Sequence, residues 1–358
     1  MRYRLPALLL LIVPALAAAA DKPAVVELFE DDADTLIPQL TMGGISGGEE
    51  VRAAIETEDV FCGKAALRVS PAQRFNPDMK GWSFPIVEKP KEGEYRYLRF
   101  AWKKLDAGPI MIQFCSRDPQ DWGHRYHAGG GPPWSAREVS AHAPAEWTVL
   151  TCDLFKDFGA FTLGGIAFTP LHGGDGLYDH VLLGRTVADL DRATTAALNK
   201  TKAKALSDAR LKQLWVELGS PDEMVSSSAV WSLVAGRREA IPYLIKSVKI
   251  PERKGAPTPV DAATVRPLIE DLNHFRYLTR EAAADELFRL GDGVLPHLRK
   301  AAESADGQAK ARLTDVINQW VARTGLDDVR LRRCAAVLRR VDAPEARELL
   351  TRIEKALP

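Results

Sequence analysis

Cysteine is scarce. Four occur in 358 residues, none in a CxxC pair and no thiol beside a base, so spacing reveals neither a zinc knuckle nor a redox dithiol. Excess charge of either sign is missing too. The 48 Lys and Arg balance 48 Asp and Glu, so no global field draws the chain to nucleic acid or to an anionic membrane. After the first twenty residues no run is long or apolar enough to cross a bilayer. HExxH, P-loop and GxGxxG patterns are all absent, which leaves the corresponding zinc-protease and nucleotide chemistries without support. What remains is ordinary globular composition, 46% hydrophobic and 27% charged, with length enough for two domains.

The first twenty residues stand apart. Arg2 and Arg4 precede an apolar run over 5–16 that is broken by Pro6 and Pro14, and Ala18-Ala19-Ala20 precedes Asp21. This is the layout of a secretory signal peptide, 1–20, which is excluded from the fold. An uncleaved anchor is the alternative, but the run is shorter than the ~20 residues a span needs. No cysteine sits at the cleavage point, so a lipoprotein has no support. The expected location is periplasmic or secreted, and no membrane contact follows cleavage. Export permits disulfides among Cys62, Cys115, Cys152 and Cys334. Cys115 with Cys152 is placed first because both fall in expected strands; buried reduced thiols are the alternative.

The chain is organised around 147–191. Trp147, Val149 and Thr151 alternate with Thr148, Leu150 and Cys152, a strand period. A polar and aromatic connection follows over 153–159. Second and third strands are expected over 163–170 and 177–183, separated by the turn composition His172-Gly173-Gly174-Asp175-Gly176. Tight turns favour antiparallel neighbours. Upstream, 25–32, 65–69 and the aromatic run YRYLRFAWKKL read as strands. Gly108-Pro109 is expected to turn the last of these into IMIQFCS as a hairpin.

After about residue 189 glycine becomes rare, and Ala, Leu, Lys, Arg and Glu dominate. VSSSAVWSLVAGRREAIPYLIKSV aligns without gaps on TREAAADELFRLGDGVLPHLRKAA. Ala229 falls on Ala283, Leu233 on Leu287, Ile241 on Leu295, Pro242 on Pro296 and Leu244 on Leu298. Each unit is a helix, a turn and a second helix, the kind of unit that stacks on its neighbours to bury a shared core. Trp215, Trp231 and Trp320 are expected in that packing. The arginines 330, 332, 333, 339 and 340 are expected on a solvated helix surface, with an anionic partner as the alternative.

On the matched positions above, the helical part resembles HEAT-like repeat modules over about 211–357. On the phrases GEYRYLRFAWKK, PAEWTVLTCDLFKDFGAFTLGGIAFTP and GLYDHVLLGRTVADLD, the preceding part resembles a galactose-binding-like or carbohydrate-binding-module-like sandwich over about 25–191. Such sandwiches occur in large exported bacterial proteins, often beside cytochrome c or propeller modules. The resemblance implies a ligand-binding or docking sandwich without a defined sugar. No ligand-contact motif maps onto this chain residue by residue.

The stretch 116–135 carries the candidate binding residues Trp122, His124, Arg125, Tyr126, His127 and Trp134, read as a loop. Flat aromatic faces stack on sugars while Arg and His hydrogen-bond hydroxyls; a loop covering the sandwich with its own aromatics is the alternative. His124-x-x-His127 has no second ligand pair at zinc spacing. Asp31, Asp32 and Asp179, with Asp34 and Asp175 nearby, are the candidate oxygen ligands of a structural Ca²⁺, set against plain turn-forming aspartates. No other cofactor is expected. Gly44-Ile45-Ser46-Gly47-Gly48 matches G-x-S-x-G, but a nucleophile elbow needs a parallel α/β sheet that the pattern lacks. No catalytic residue is assigned. Glu27, Glu30, Asp118 and Asp121 are available to a hydrolase, and nothing singles out a pair.

The expected fold is therefore multidomain, β then α: an antiparallel β-sandwich of jelly-roll type over 24–190, a linker helix over 191–206, and a HEAT-like helical solenoid over 207–358. The expected function is non-enzymatic binding, with the sandwich recognising a glycan or other extracellular ligand and the helices contacting protein. A carbohydrate-active hydrolase and a pure protein-interaction module are the rivals.

Overall fold

The alternation in the aromatic run forms a central strand with one face in each of two cores. A computed structural model describes residues 22–43, 52–130, 135–250, 259–324 and 328–357. The signal-peptide segment, the Ser46 motif and Trp134 lie outside the described residues. Thirteen strands are present among the described residues. They are β1 Val25–Phe29, β2 Thr41–Gly43, β3 Ala53–Glu56, β4 Ala66–Val69, β5 Gln73–Asn76, β6 Phe84–Ile86, β7 Tyr97–Lys104, β8 Ile110–Arg117, β9 Gln120–Ala128, β10 Arg137–Ser140, β11 Thr148–Asp153, β12 Phe161–Pro170 and β13 Gly176–Gly184.

They form two sheets. The first runs β11-β7-β13-β4-β3, with β1 also beside β13; the second runs β10-β9-β8-β12-β5-β2, with β6 beside β12. Among the described residues every strand pair is antiparallel except β9 with β10, which is parallel. The Gly108-Pro109 turn does not close a hairpin. It carries the chain from β7 in the first sheet to β8 in the second. Likewise β11, β12 and β13 are not mutual neighbours: β11 and β13 flank β7, while β12 pairs with β8 in the other sheet. Turn length limits how far the chain travels, but it leaves open whether the chain stays in one sheet or changes layer.

Between the sheets lie Phe100, Trp102, Ile112, Phe114, Tyr126, Phe168 and Tyr178. Phe100 meets Trp102 edge to face at 4.9 Å, as does Phe168 with Tyr178. Each such side chain contributes about 1.5–3 kcal/mol by leaving water. The Tyr178 hydroxyl donates to the Met111 carbonyl at 3.0 Å, which satisfies the one polar atom it carries inward.

From α3 onward the chain is helical: α3 Val187–Lys200, α4 Asp208–Leu218, α5 Glu223–Ala235, α6 Arg237–Ser247, α7 Ala262–Asp271, α8 Tyr277–Leu290, α9 Leu295–Ser304, α10 Gly307–Thr324, α11 Asp328–Arg339 and α12 Pro344–Ala356. (Two short helices, α1 Ala33–Leu36 and α2 Leu154–Phe158, sit within the β part.) Thr186, Ser207, Asp222 and Asp261 cap α3, α4, α5 and α7 with side-chain oxygens. The span expected as a linker helix is a packed element. Leu190 and Leu198 of α3 are buried, and α3 lies on β13 and β1.

The aligned Ala, Leu and Ile positions are all interior, in two separate cores, while the matched Pro242 and Pro296 are exposed. Ala229, Leu233, Ile241 and Leu244 join α11, α12 and the outer face of the first sheet. Ala283, Leu287, Leu295 and Leu298 join α7 and α10. The closing helices α11 and α12 return to α5, α4 and α6. Trp231 is buried, and Trp320 stacks on Phe288 at 4.7 Å. Of the five arginines expected to be solvated, Arg332 and Arg339 are exposed, and three are ties instead: Arg333 donates to the Leu218 and Ser220 carbonyls, Arg340 pairs with Asp191, and Arg330 lies over Trp215. Among the described residues no helix is long and apolar enough to cross a membrane.

Candidate functional site

The segment read as a binding loop is the strand β9, joined to β8 by a tight turn. Strand period then sorts its side chains. Phe114 and Ile112 of β8 face the interior, and their partners in register are His124 and Tyr126. Tyr126 is 1% exposed, and its hydroxyl donates to Asp157 Oδ2 at 2.7 Å. His124 is stacked on Phe161 at 3.9 Å. These two are core residues, contrary to the expectation that they line a ligand groove. Gln113 and Met111 lie on the opposite, outer face of the sheet with their partners Arg125 and His127; Gln113, Met111 and His127 are buried there, and Arg125 is half-buried.

A register shift brings a third residue out. Phe114 pairs with His124, but Ser116 pairs with Asp121, so Trp122 and Gly123 share the place opposite Cys115. This is a bulge, a device that re-aims a side chain. Trp122 emerges half-buried, its ring edge-on to Phe75 of β5 at 5.9 Å and 76°. Across the same outer face runs a polar ladder. Arg125 Nε donates to Gln113 Oε1 at 3.0 Å, Gln113 Nε2 donates to Thr169 Oγ1 at 2.8 Å, and an Arg125 guanidinium nitrogen donates to the Ser135 carbonyl at 3.0 Å. Beside it His127 is buried, with Nδ1 unpartnered.

The aspartates expected to hold Ca²⁺ do not converge. Asp31 Oδ1 accepts the backbone N–H groups of Lys64 and Ala65. Asp179 is fully buried; one of its oxygens accepts from the Phe61 and Cys62 N–H groups at 2.8 and 3.2 Å, and the other from His180 N at 2.7 Å. Asp32 accepts from the Thr35 hydroxyl at the start of α1. Asp31 and Asp179 fix the loop after β3, where Gly63 takes φ +67° and any Cβ would collide with the Asp31 carboxylate.

What that loop brings together is a different cluster. Cys62 Sγ lies 3.2 Å from His180 Nδ1 and 2.9 Å from Glu30 Oε1, and His180 Nδ1 lies 2.6 Å from Glu30 Oε2. The thiol thus does have a base beside it, although 118 residues separate them in sequence. His180 takes φ +53° within the irregular stretch of β13 between Asp179 and Leu182. Burial, reinforced by the Asp179 and Glu30 carboxylates, pushes the Cys62 thiol well up. Burial, then Glu30, does the same to Asp179. Glu30 and His180 line a cavity of about 810 Å³ that also carries Glu27, Asp31, Asp32 and Asp34, with Ala193 and Ala197 of α3 on its far wall.

All four cysteines are free and buried. The expected Cys115–Cys152 bridge is not formed: Cys152 packs between the sheets, whereas Cys115 follows the inward Phe114 and lies on the other face of β8.

No protein-family model matches this chain, and no curated protein matches it. Among solved structures, a family 30 carbohydrate-binding module of a cellulosomal cellulase of Clostridium thermocellum is 11% identical, with a TM-score of 0.28, over 40% of this chain and 90% of that one. A family 11 carbohydrate-binding module of a cellulosomal cellulase of the same organism is 11% identical, with a TM-score of 0.23, over 39% of this chain and 85% of that one. The glycoside hydrolase domain of Endo-D from Streptococcus pneumoniae R6 is 16% identical, with a TM-score of 0.25, over 39% of this chain but only 21% of that one. Likeness this slight transfers neither ligand nor activity.

Proposed function

We propose that this chain is an exported, non-enzymatic binding protein whose sandwich holds a glycan on the outer face of the second sheet. The observation that carries this is the juxtaposition on that face: the Trp122 ring, re-aimed outward by the bulge, beside the Arg125–Gln113–Thr169 ladder. An aromatic ring covers the apolar face of a sugar, and a planar guanidinium held in place at low entropic cost donates to ring hydroxyls. The ligand-contact set is therefore Trp122 and Arg125, with His127 and Gln113 behind them; Tyr126 and His124 support the strand from inside. Export rests on the 1–20 leader pattern.

The helical part serves as a short HEAT-like module for protein contact, built on the α5–α6 and α8–α9 pairs. Phe275, Tyr277 and Leu278, at the start of α8, are 79%, 61% and 79% exposed, the kind of apolar patch that favours a partner. A hydrolase role would need two facing carboxylates. Glu27 and Glu30 lie at the first sheet, whereas Asp118 and Asp121 lie at the β8–β9 turn of the second.

A glycan array probed with the wild-type chain and with Trp122→Ala and Arg125→Ala tests the proposal. Binding to a defined set of oligosaccharides, weakened at least about tenfold by either change (~1.4 kcal/mol), is the expected outcome. Absence of binding to every glycan, or binding that both variants retain, refutes it.

A further inference from the structure

We propose that Glu30, Cys62 and His180 form a zinc site, one protein ligand each through oxygen, sulfur and Nδ1, with a fourth position open to the acidic cavity beside α3. This proposal is independent of the glycan face, which lies on the other sheet.

The donor set is the first reason. Thiolate, imidazole and carboxylate are the three side-chain ligands zinc uses, and three protein ligands with one open position is the pattern of accessible zinc sites. A thiol in the set argues against Ca²⁺ or Mg²⁺, which take oxygen. The three donor atoms all lie within 4.8 Å of one another. A tetrahedral zinc with ordinary bond lengths spaces such donors about 3.3–3.6 Å apart. Sγ lies 3.2 Å from Nδ1 and 2.9 Å from Glu30 Oε1, while Nδ1 lies 2.6 Å from the other carboxylate oxygen, Oε2, which are the separations of a hydrogen-bonded cluster. Opening by a few tenths of an ångström up to about 0.7 Å admits the ion, within the reach of small side-chain rotations.

The hydrogen-bond network supplies the second reason, because it prepares the ring. The Thr194 hydroxyl donates to the Leu190 carbonyl at 2.9 Å, so its oxygen can only accept from its other neighbours. Arg99 donates to it at 3.0 Å, and His180 Nε2 lies 2.8 Å away. His180 Nε2 thereby carries a proton, and Nδ1 faces Glu30 and Cys62, where the ion would displace the proton that bridges Nδ1 and Glu30 Oε2. A ligating histidine that donates its other N–H to a fixed oxygen is the usual outer-shell arrangement of a metal site. Asp179 holds both sides of the cluster at once, since its carboxylate accepts from Cys62 N and His180 N. The surroundings favour a cation: Glu27, Asp31, Asp32 and Asp34 share the cavity, and Lys64 and Lys200 are the cationic side chains lining it.

The test uses the full mature chain, stripped with a chelator under reducing conditions. Zn²⁺ titration followed by elemental analysis is expected to give one ion per chain, retained against excess Ca²⁺ and Mg²⁺. Co²⁺ in its place is expected to show a thiolate-to-cobalt charge-transfer band together with the intense visible bands of four-coordinate cobalt. Cys62→Ser abolishes the charge-transfer band. Thr194→Val, which touches no metal but frees the His180 Nε2 proton, weakens Zn²⁺ binding by about 10–100-fold. Sub-stoichiometric uptake by the wild-type chain, a cobalt spectrum without the thiolate band, or a band that survives Cys62→Ser overturns the proposal. The wild-type measurements decide even where a variant fails to fold.

Discussion

Deleting Asp191 should harm the fold more than deleting Arg99, although Arg99 makes more hydrogen bonds. Arg99 projects from β7 into the core shared with the helices, 1% exposed. It donates to Thr151 at 2.9 Å, Thr194 at 3.0 Å and Asp191 at 2.7 Å, and its guanidinium lies 4.6 Å from the Trp231 ring centre. Arg340, just past the end of α11, joins this arrangement, paired with the second oxygen of Asp191 and 4.9 Å from Trp231. Asp191→Ala leaves Arg99 buried, without an anion and beside another cation. Removing one partner of a buried pair in this way costs about 3–5 kcal/mol. Arg99→Met keeps much of the stem volume. It loses the Thr151 and Thr194 bonds and the ring contact, while Asp191, about a quarter exposed, keeps Arg340. The expected cost is about 1–2 kcal/mol. The Arg99→Met/Asp191→Ala double variant should be more stable than Asp191→Ala alone, because it removes the stranded charge. Urea unfolding followed by far-ultraviolet circular dichroism gives the three free energies. A cost for Arg99→Met equal to or above that of Asp191→Ala, or a double variant less stable than either single one, would refute the reasoning.

Two further outcomes follow from local chemistry. Burial among Phe158 and Phe161 holds the His124 pKa below its ordinary value, so the folded chain keeps the ring neutral while the unfolded chain takes up a proton below about pH 6.5. The stabilisation is full above that pH and is lost on acidification through the depressed folded value. Unfolding midpoints at pH 7.5 and 5.5 should lie closer together in His124→Phe than in wild type; an unchanged gap contradicts the assignment. Gly63→Ala adds left-handed strain and drives a methyl into Asp31, for an expected loss of about 2–4 kcal/mol. Gly81, at φ +82° with nothing within 4 Å of where a Cβ would sit, is the control for strain alone. If Gly63→Ala destabilises no more than Gly81→Ala, the Asp31 clamp does not hold the Cys62 loop.

Local periodicity makes much of the fold legible. The alternating aromatics of β7 form a strand, and the gapless match of Ala229 with Ala283 and Leu233 with Leu287 marks helix pairs whose matched aliphatic positions are all buried. β9 is hard to see in the sequence because its bulge breaks the two-residue period at Trp122-Gly123, and its His, Gly and Asp content resembles a loop. α2 passes for a connection, although Asp153 caps it through Lys156 N.

The candidate sites are less legible. Composition points to β9, where Trp122 and Arg125 share the outer face, but it also gathers Tyr126 and His124, which strand alternation turns inward. The zinc cluster leaves no trace in spacing: Glu30 and His180 are 150 residues apart, and Cys62 and His180 118 apart. The Asp31 and Asp179 carboxylates suggest metal by type alone, and the fold uses them to hold backbone instead.

By itself, the amino-acid order determined that strands come first and helices after, where each element's apolar stripe lies, and that the charges balance; these depend only on neighbours within a few residues. Which sheet each strand joins, which face of β9 looks outward, and the meeting of a thiol, an imidazole and a carboxylate were decided by the tertiary structure alone. The physical reason is that a layer change at a turn such as Gly108-Pro109 is selected by the packing of distant side chains against one another, and no local propensity encodes that choice.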